Sequence, residues 1–213
     1  NLEPYRKMRV WDDLGGGEVE FNAAECAVAQ LGYIVNNEAV ILALYQALQK
    51  TSCCLRQKVT LQHLSQHENG VVLTTDQGVF EGRMLVGADG VRSWVRSKLP
   101  LAVSTRRYPH EALTAVVETE KPHGNTALQS FLPTGPLGVL PLYHPRRVAI
   151  VWSCTAERVA QLNALSHDEL NMELTNSIQC QLGHMKCVNP PVSHVLLAKS
   201  MRTYYYLNTV VIG

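Results

Sequence analysis

The residue types best suited to chemistry lie together in one stretch, Met84-Leu-Val-Gly-Ala-Asp-Gly-Val-Arg-Ser-Trp-Val-Arg96, where an apolar strand runs into a glycine-bracketed turn and then a helix. Gly87 and Gly90 lack a Cβ, so a ligand can approach the backbone closely there. A helix capped by Ser93 would offer unpaired N–H groups to an anion. Asp89 could accept hydrogen bonds from sugar hydroxyls or from bound water. Taken alone, a Gly-Ala-Asp-Gly turn serves equally well as a plain strand-to-helix connection. Other reactive residue types are scattered. The six cysteines include no Cys-x-x-Cys, and the adjacent pair Cys53 and Cys54 has poor disulfide geometry. Cys180, His184 and Cys187 fall short of four ligands at finger-like spacing, so no metal is expected. Thiols of this kind fit a reducing cytoplasm. None of the eight histidines has an acidic partner at motif spacing, so solvated or capping roles are expected of them.

The turn has to be positioned by its neighbours, and their patterns are legible. Residues 5–11 alternate, with Lys7 and Arg9 on one side and Met8 and Val10 on the other, the period of a half-buried strand. A turn over residues 12–17 follows. From Asn37, read as an N-cap, Val40, Ile41, Leu44 and Leu48 recur at helical spacing, with Lys50 closing the last turn. Short β-rich runs at 59–64, 71–75, 79–80 and 84–86 are separated by Glu68-Asn69-Gly70 and Asp76-Gln77-Gly78, which predicts a meander. A second β tract is expected at 112–118, 127–131, 138–142 and 148–153, with Tyr143-His144-Pro145-Arg146-Arg147 as a hairpin turn. Helically spaced leucines and valines between residues 156 and 182 predict one or two helices over that sheet. Strands return at 193–197 and 209–212. Trp11 and Trp152 fit either a core or a pocket wall. Of the run Tyr204-Tyr205-Tyr206, at least one ring must be exposed. Arg106-Arg107 and Arg146-Arg147 read most simply as solvated turns, with contact to a partner protein or lipid headgroups left open.

Composition narrows the class of partner. With 46% hydrophobic and 17% charged residues the chain is globular rather than disordered. Nineteen basic against eighteen acidic side chains leave a net charge of +1, so no sequence-wide field recruits nucleic acid or an anionic membrane. The longest stretch without Asp, Glu, Lys or Arg, residues 122–145, holds five prolines and three glycines and cannot be a spanning helix. The start lacks the basic and apolar regions of a signal peptide. The absence of an initiator Met and the ending on an apolar run before glycine suggest a piece of a longer protein.

The extended pattern Asp89-Gly90-x-x-Ser93-x-x-Arg96 resembles the second fingerprint of class A flavoprotein monooxygenases, the aromatic hydroxylases similar to para-hydroxybenzoate hydroxylase. The resemblance extends over nearly the whole chain to the ubiquinone-biosynthesis hydroxylases of bacteria. Pro4-Tyr5 with Met8, Val10, Trp11 and Asp12 is similar to their first strand. Gly32-Tyr-Ile-Val-Asn-Asn37, Gly135-Pro-Leu-Gly-Val-Leu-Pro-Leu142 and Ile150-Val-Trp-Ser153 are similar to three further family segments. Asn36 stands where the family has Glu, and His194-Val195-Leu196 where it has Phe-Pro-Leu. The family's Gly-x-Gly-x-x-Gly and Gly-Asp-Ala-Ala-His segments would lie before residue 1 and after residue 213.

The resemblance implies an α/β (α+β) fold: a substrate domain with a mainly antiparallel sheet covered by helices, plus part of an FAD-binding domain. Segments 1–31 and 101–200 would belong to the substrate domain, and 32–100 and 201–213 to the FAD-binding domain. It implies that Asn37, Val59, Asp89, Gly90 and Ser93 serve the cofactors FAD and NAD(P)H, with Asp89 acting partly through other groups. Pro141 and Leu142 would line the substrate pocket. The implied reaction is insertion of one oxygen of O2 into the ring of a polyprenyl phenol, with no catalytic side chain required, since the flavin carries the chemistry. Two of the three segments that grip FAD lie outside these residues, so the piece itself is expected to be inactive and not to retain FAD. Because residues 135–142 carry no charge, the pocket is expected to prefer a neutral phenol with an apolar tail. A cytoplasmic location follows, with peripheral contact at the inner membrane, a homo-oligomer and a quinone-biosynthesis complex left open. Two alternatives remain: a non-catalytic assembly module, and a flavin hydroxylase of a small carboxylated aromatic.

Overall fold

The computed structural model describes residues 2–212. It divides into two compact units, one made of Asn1–Thr51 and Tyr108–Leu196, the other of Ser52–Arg107 and Leu197–Gly213. In chain order the first elements are β1 (Leu2–Tyr5), β2 (Lys7–Asp12), β3 (Glu18–Asn22), β4 (Gly32–Val35) and α1 (Asn37–Leu48). Next come β5 (Leu61–His67), β6 (Gly70–Thr75), β7 (Gly78–Gly82), β8 (Leu85–Gly87) and the single turn α2 (Trp94–Ser97). The long strand β9 (Val103–Thr119) leads to β10 (Thr126–Leu132), β11 (Gly135–Pro141) and β12 (Arg147–Thr155). The chain ends with α3 (Ala156–Ala164), α4 (His167–Ser177), β13 (Met185–Cys187), β14 (Val192–Met201), β15 (Tyr205–Tyr206) and β16 (Thr209–Val211).

In the first unit the main sheet has the order β13-β9-β12-β11-β10-β2-β3, with β14 also paired to β9, and every pair in that order is antiparallel except β10–β2. Alternation along the strands gives this sheet two unlike faces. Leu137, Trp152 and Leu113 stand in register across three strands, as do Val139 and Ile150 beside them, and all of these are buried. They pack with Val159 and Leu162 of α3 and Leu170 and Leu174 of α4 into one core. Trp11 and Trp152 both belong to it, which resolves them as core aromatics. Residues of the opposite parity, Gly138, Leu140, Val151, Thr114 and Val116, form the other face. A separate pair, β1 with β4, carries the chain into α1.

The boundary between α3 and α4 is chemical. Ser166 accepts from the Glu169 N–H while the Glu169 carboxylate accepts from the Ser166 N–H, a reciprocal capping box. α4 is then tied to β13 by buried side chains: Asn171 accepts from the Cys187 N–H at 2.8 Å and Thr175 from the Met185 N–H at 3.0 Å. The helix expected from Asn37 is present, but its cap is Asn36, whose extended backbone lets its side chain accept from the Ala39 N–H at 3.2 Å. Asn37 is therefore the first helical residue. Gln49 ends the helix, leaving Lys50 outside the last turn. Of the apolar positions of α1, Val40, Ile41 and Leu44 are exposed, Leu44 by 64%, and Leu48 is half-buried.

In the second unit β5, β6 and β7 form three of the four strands of the expected meander; the fourth run, β8, leaves it and pairs with β16 in another sheet. Two-residue loops join His67 to Gly70 and Thr75 to Gly78, the latter with φ +124 at Gly78. β15, β16 and β8 make a second small sheet in which β16 runs parallel to β8. Tyr204, Tyr205 and Tyr206 are all exposed. Among the described residues no helix is long and apolar enough to cross a membrane.

Candidate functional site

In the second unit the turn after β8 is held together by its own motif residues. The Asp89 carboxylate accepts from the Trp94 N–H at 2.6 Å and the Val95 N–H at 3.1 Å. Ser93 accepts from the Arg96 N–H at 2.9 Å. The Arg96 side chain, 93% buried as its 7% exposure shows, donates to the carbonyl oxygens of Gly90, at 3.2 Å, and of Val91. These contacts correct one expectation: the N–H groups of Trp94, Val95 and Arg96 are already taken, so the helix start does not offer them to an anion. Gly87 is required for packing, because a Cβ there would lie 2.8 Å from a methyl of Val95. Gly90 has φ +74 and open space where a Cβ would be, so its exposed side is free for a ligand.

Beside Gly90 and Val91 is a cavity of about 440 Å³ lined by Val91, Arg96, Leu197, Lys199, Met201 and Tyr204. Lys199 reaches the Val91 carbonyl at 2.8 Å. Two cations and no acid line this space, and a guanidinium with five donors keeps some to spare. That donor set suits the phosphates of a dinucleotide. Asp89 and Ser93 act here by shaping the loop. Val59 follows Lys58, whose φ is +54, and its neighbourhood is fixed by Gln77, which donates to the carbonyls of Gln57 and Lys58.

Burial raises the Asp89 pKa, but hydrogen bonds from Ser93 and the backbone of the following turn outweigh it and hold the carboxyl below the ordinary aspartate value. A folded pKa below the unfolded one stabilises fully above about pH 4 and loses that contribution as pH falls through the folded value. Melting curves recorded from pH 5 downward are therefore expected to fall less steeply in Asp89→Asn than in the natural chain. Identical slopes would show that the turn does not depend on this charge.

In the first unit a cavity of about 350 Å³ opens on the side of the sheet away from α3 and α4, lined by Ile34, Asn36, Val116, Leu142, Tyr143, His144 and Arg147. Leu142 is thus at a cavity wall. Pro141 is not, since it stands opposite Val148 on the core face. Asn37 follows Asn36 at the cavity's edge along the chain, with its side chain exposed. The hairpin that carries Leu142 is pinned from below by His123, which is 5% exposed. Its Nδ1 accepts from the Asn125 N–H, so Nε2 carries the proton and donates to the carbonyls of Leu142 at 2.9 Å and His144 at 3.2 Å. Sequence reasoning missed His123 and the lining role of Arg147, because both depend on contacts across strands. The Ser166-x-x-Glu169 spacing, by contrast, was a readable signal.

A mostly antiparallel sheet backed by helices, with small sheets carrying a glycine-bracketed turn, is the para-hydroxybenzoate-hydroxylase-like architecture. The fold matches a probable FAD-dependent monooxygenase of Pseudomonas aeruginosa with a TM-score of 0.76 at 19% identity, over 100% of this chain and 61% of that one. Residues 17–205 match the family described as FAD binding domain, and the chain belongs to that family. It is 30% identical over 184 residues to the 3-demethoxyubiquinol 3-hydroxylase of Escherichia coli, covering 85% of this chain and 46% of that protein. It is 29% identical to the ubiquinone hydroxylase UbiL of Rhodospirillum rubrum, over 99% of this chain and 49% of that protein. The chain spans about half the length of these curated relatives.

Proposed function

We propose that the whole protein is a ring hydroxylase of ubiquinone biosynthesis, acting on a polyprenyl phenol with FAD, NAD(P)H and O2. The observation that carries this reading is the cavity at Leu142: it lies on the sheet face opposite the core and joins apolar walls, Ile34, Val116 and Leu142, to the polar groups of Asn36, Tyr143 and His144. An aromatic ring with one polar end and an apolar tail matches such a lining, each buried CH2 of the tail contributing about 0.8 kcal/mol. The names of the two relatives, a 3-demethoxyubiquinol 3-hydroxylase and a ubiquinone hydroxylase, support a ring of the ubiquinone type as substrate. FAD, when bound, supplies the oxidising chemistry, and the chain's own residues supply binding and position. Within the second unit, Gly90 and the cations Arg96 and Lys199 would hold its anionic part, the backbone at Val59 would meet another part of it, and Asp89 and Ser93 would keep the loop in shape. In the full-length protein, NAD(P)H oxidation should be stimulated by a prenylated phenol, and flavin should copurify. A full-length protein with neither property would favour the assembly-module alternative.

Asp89 serves as a positioning residue in this reading. Asp89→Ala frees two N–H groups and relaxes the turn, a loss of about 1 kcal/mol at a cap of this kind. Displacing a cofactor loop is costlier, and flavin reduction by NAD(P)H is expected to slow by roughly 10- to 100-fold. Rapid-mixing kinetics beside a melting curve separates the two: unchanged reduction with a lowered midpoint would make Asp89 a cap and nothing more.

A further inference from the structure

The cavity at Leu142 has two walls that reach it from distant parts of the first unit. Ile34 and Asn36 come with β4 and the cap of α1, and Leu142, Tyr143 and His144 with the turn between β11 and β12. One short loop, residues 123–125, holds both walls. On the turn side, the His123 Nε2–H is shared between the carbonyl oxygens of Leu142 at 2.9 Å and His144 at 3.2 Å, and the His123 backbone N–H donates to the Pro145 carbonyl at 2.9 Å. On the β4 side, the Asn125 carboxamide donates to the Glu3 carboxylate at 2.7 Å and the Pro4 carbonyl at 2.8 Å, and the Asn125 carbonyl accepts from the Arg6 N–H at 2.8 Å. Glu3 and Pro4 are the β1 residues paired with Ile34 and Tyr33 of β4. The two grips are themselves joined, since the Asn125 N–H donates to His123 Nδ1 at 3.1 Å. Gly124 and Asn125 both have left-handed backbone, φ +55 and +56, which glycine and asparagine accept most readily and which turns the chain from one wall to the other.

We propose that the 123–125 loop is a clasp that fixes the spacing between these walls, which makes His123 and Asn125 positioning residues for the ring that enters the cavity. This rests on the proposed function in placing a ring there. The imidazole is buried and both of its nitrogens are engaged, so it is a fixed strut between loop and turn. Neither His123 nor Asn125 lines the cavity, and both therefore act through the walls. A reacting ring that is slightly misplaced loses rate steeply, so a shift of one wall lowers turnover without any contact between the loop and the ring.

The test uses the full-length flavin-loaded enzyme with a prenylated phenol, and three variants. His123→Phe keeps a flat ring and removes both nitrogens, His123→Gln keeps one N–H donor, and Asn125→Gly removes the carboxamide while accepting the left-handed backbone. His123→Phe and Asn125→Gly should each lower kcat/KM per flavin-loaded enzyme by about 10-fold, with more NAD(P)H consumed per product, and His123→Gln should recover part of the loss. The double variant should lose much less than the product of the two single losses, because cutting either arm already frees the walls from each other. Hydrogen exchange gives a readout independent of turnover: Asn125→Gly should speed exchange of the Leu142 and Arg147 N–H groups by about 10-fold or more, although its side chain bonds only to the other wall. A role confined to stability would lower the melting point and leave kcat/KM per flavin-loaded enzyme unchanged, and that result overturns the positioning role. Losses that multiply, with exchange confined to the wall that was cut, overturn the clasp and leave the ring hydroxylase standing. A natural enzyme that turns over no prenylated ring overturns the hydroxylase reading, and the clasp then stands or falls on the exchange result alone.

Discussion

Leu142→Arg in the full-length enzyme is expected to lower kcat/KM for a prenylated ring by roughly 100-fold or more, with flavin content unchanged. The residue forms part of the apolar lining beside Ile34 and Val116, and its backbone is bonded directly to Arg147. An arginine there would place a cation among the apolar walls and fill space meant for the tail. Burying an unpaired charge costs several kcal/mol, and each 1.4 kcal/mol or so is a factor of about ten. Flavin content is the control, since the cations assigned to the cofactor, Arg96 and Lys199, line a different cavity. A variant with natural turnover would remove Leu142 from the working surface of the site.

The second large effect concerns folding. Gly135 starts β11 with φ +123, and a Cβ built on it would lie 2.0 Å from the Ser153 carbonyl oxygen. Both the backbone region and the collision with main chain forbid a side chain, and neither is relieved by a rotamer change. Gly135→Ala is expected to cost about 3 kcal/mol or more, in the range where strained backbone and overpacking act together. Gly138→Ala is the matched control: its Cβ would meet only the Val151 carbonyl oxygen, at 3.7 Å, an ordinary contact. Denaturation midpoints of the two variants should differ clearly, and equal midpoints would show that the hairpin moves to accept the new methyl.

Much of this architecture is written in local pattern. The meander over β5, β6 and β7 follows from β-rich runs broken by Asn69-Gly70 and Gln77-Gly78, because tight turns with those residues fix strand register. The strands of the main sheet follow from alternation, and so does the division of Leu137 and Val139 from Gly138 and Leu140. Helical spacing located α1, yet it reports amphipathicity and not burial, and most apolar positions of that helix are exposed. The one-residue error at its cap arose because Asn36 and Asn37 are equal candidates by type. Only the extended backbone of Asn36 distinguishes them.

The site was legible unevenly, for the same physical reason. Asp89, Gly90, Ser93 and Arg96 fall within one turn, so their spacing could be read, although the sequence did not show that the carboxylate and guanidinium would spend hydrogen bonds on their own loop. Arg147 looked like half of a solvated Arg-Arg turn. Its place in the cavity depends on β11 and β12 pairing so that residue 147 returns beside residue 142, and on Ile34 arriving from a strand more than a hundred residues earlier. A tract read by itself did not show that Arg147 joins the lining from the next strand.

The proposed activity of the whole protein is transfer of one atom of molecular oxygen to a prenylated ring. Mass spectrometry of the product formed by the full-length protein under isotopically labelled O2, with NAD(P)H supplied, tests it most directly. One labelled oxygen per hydroxylated ring and one NAD(P)H consumed for each are expected, with no label entering from labelled water. Product oxygen derived from water, or a flavin-loaded protein that leaves every prenylated ring unchanged, would contradict it.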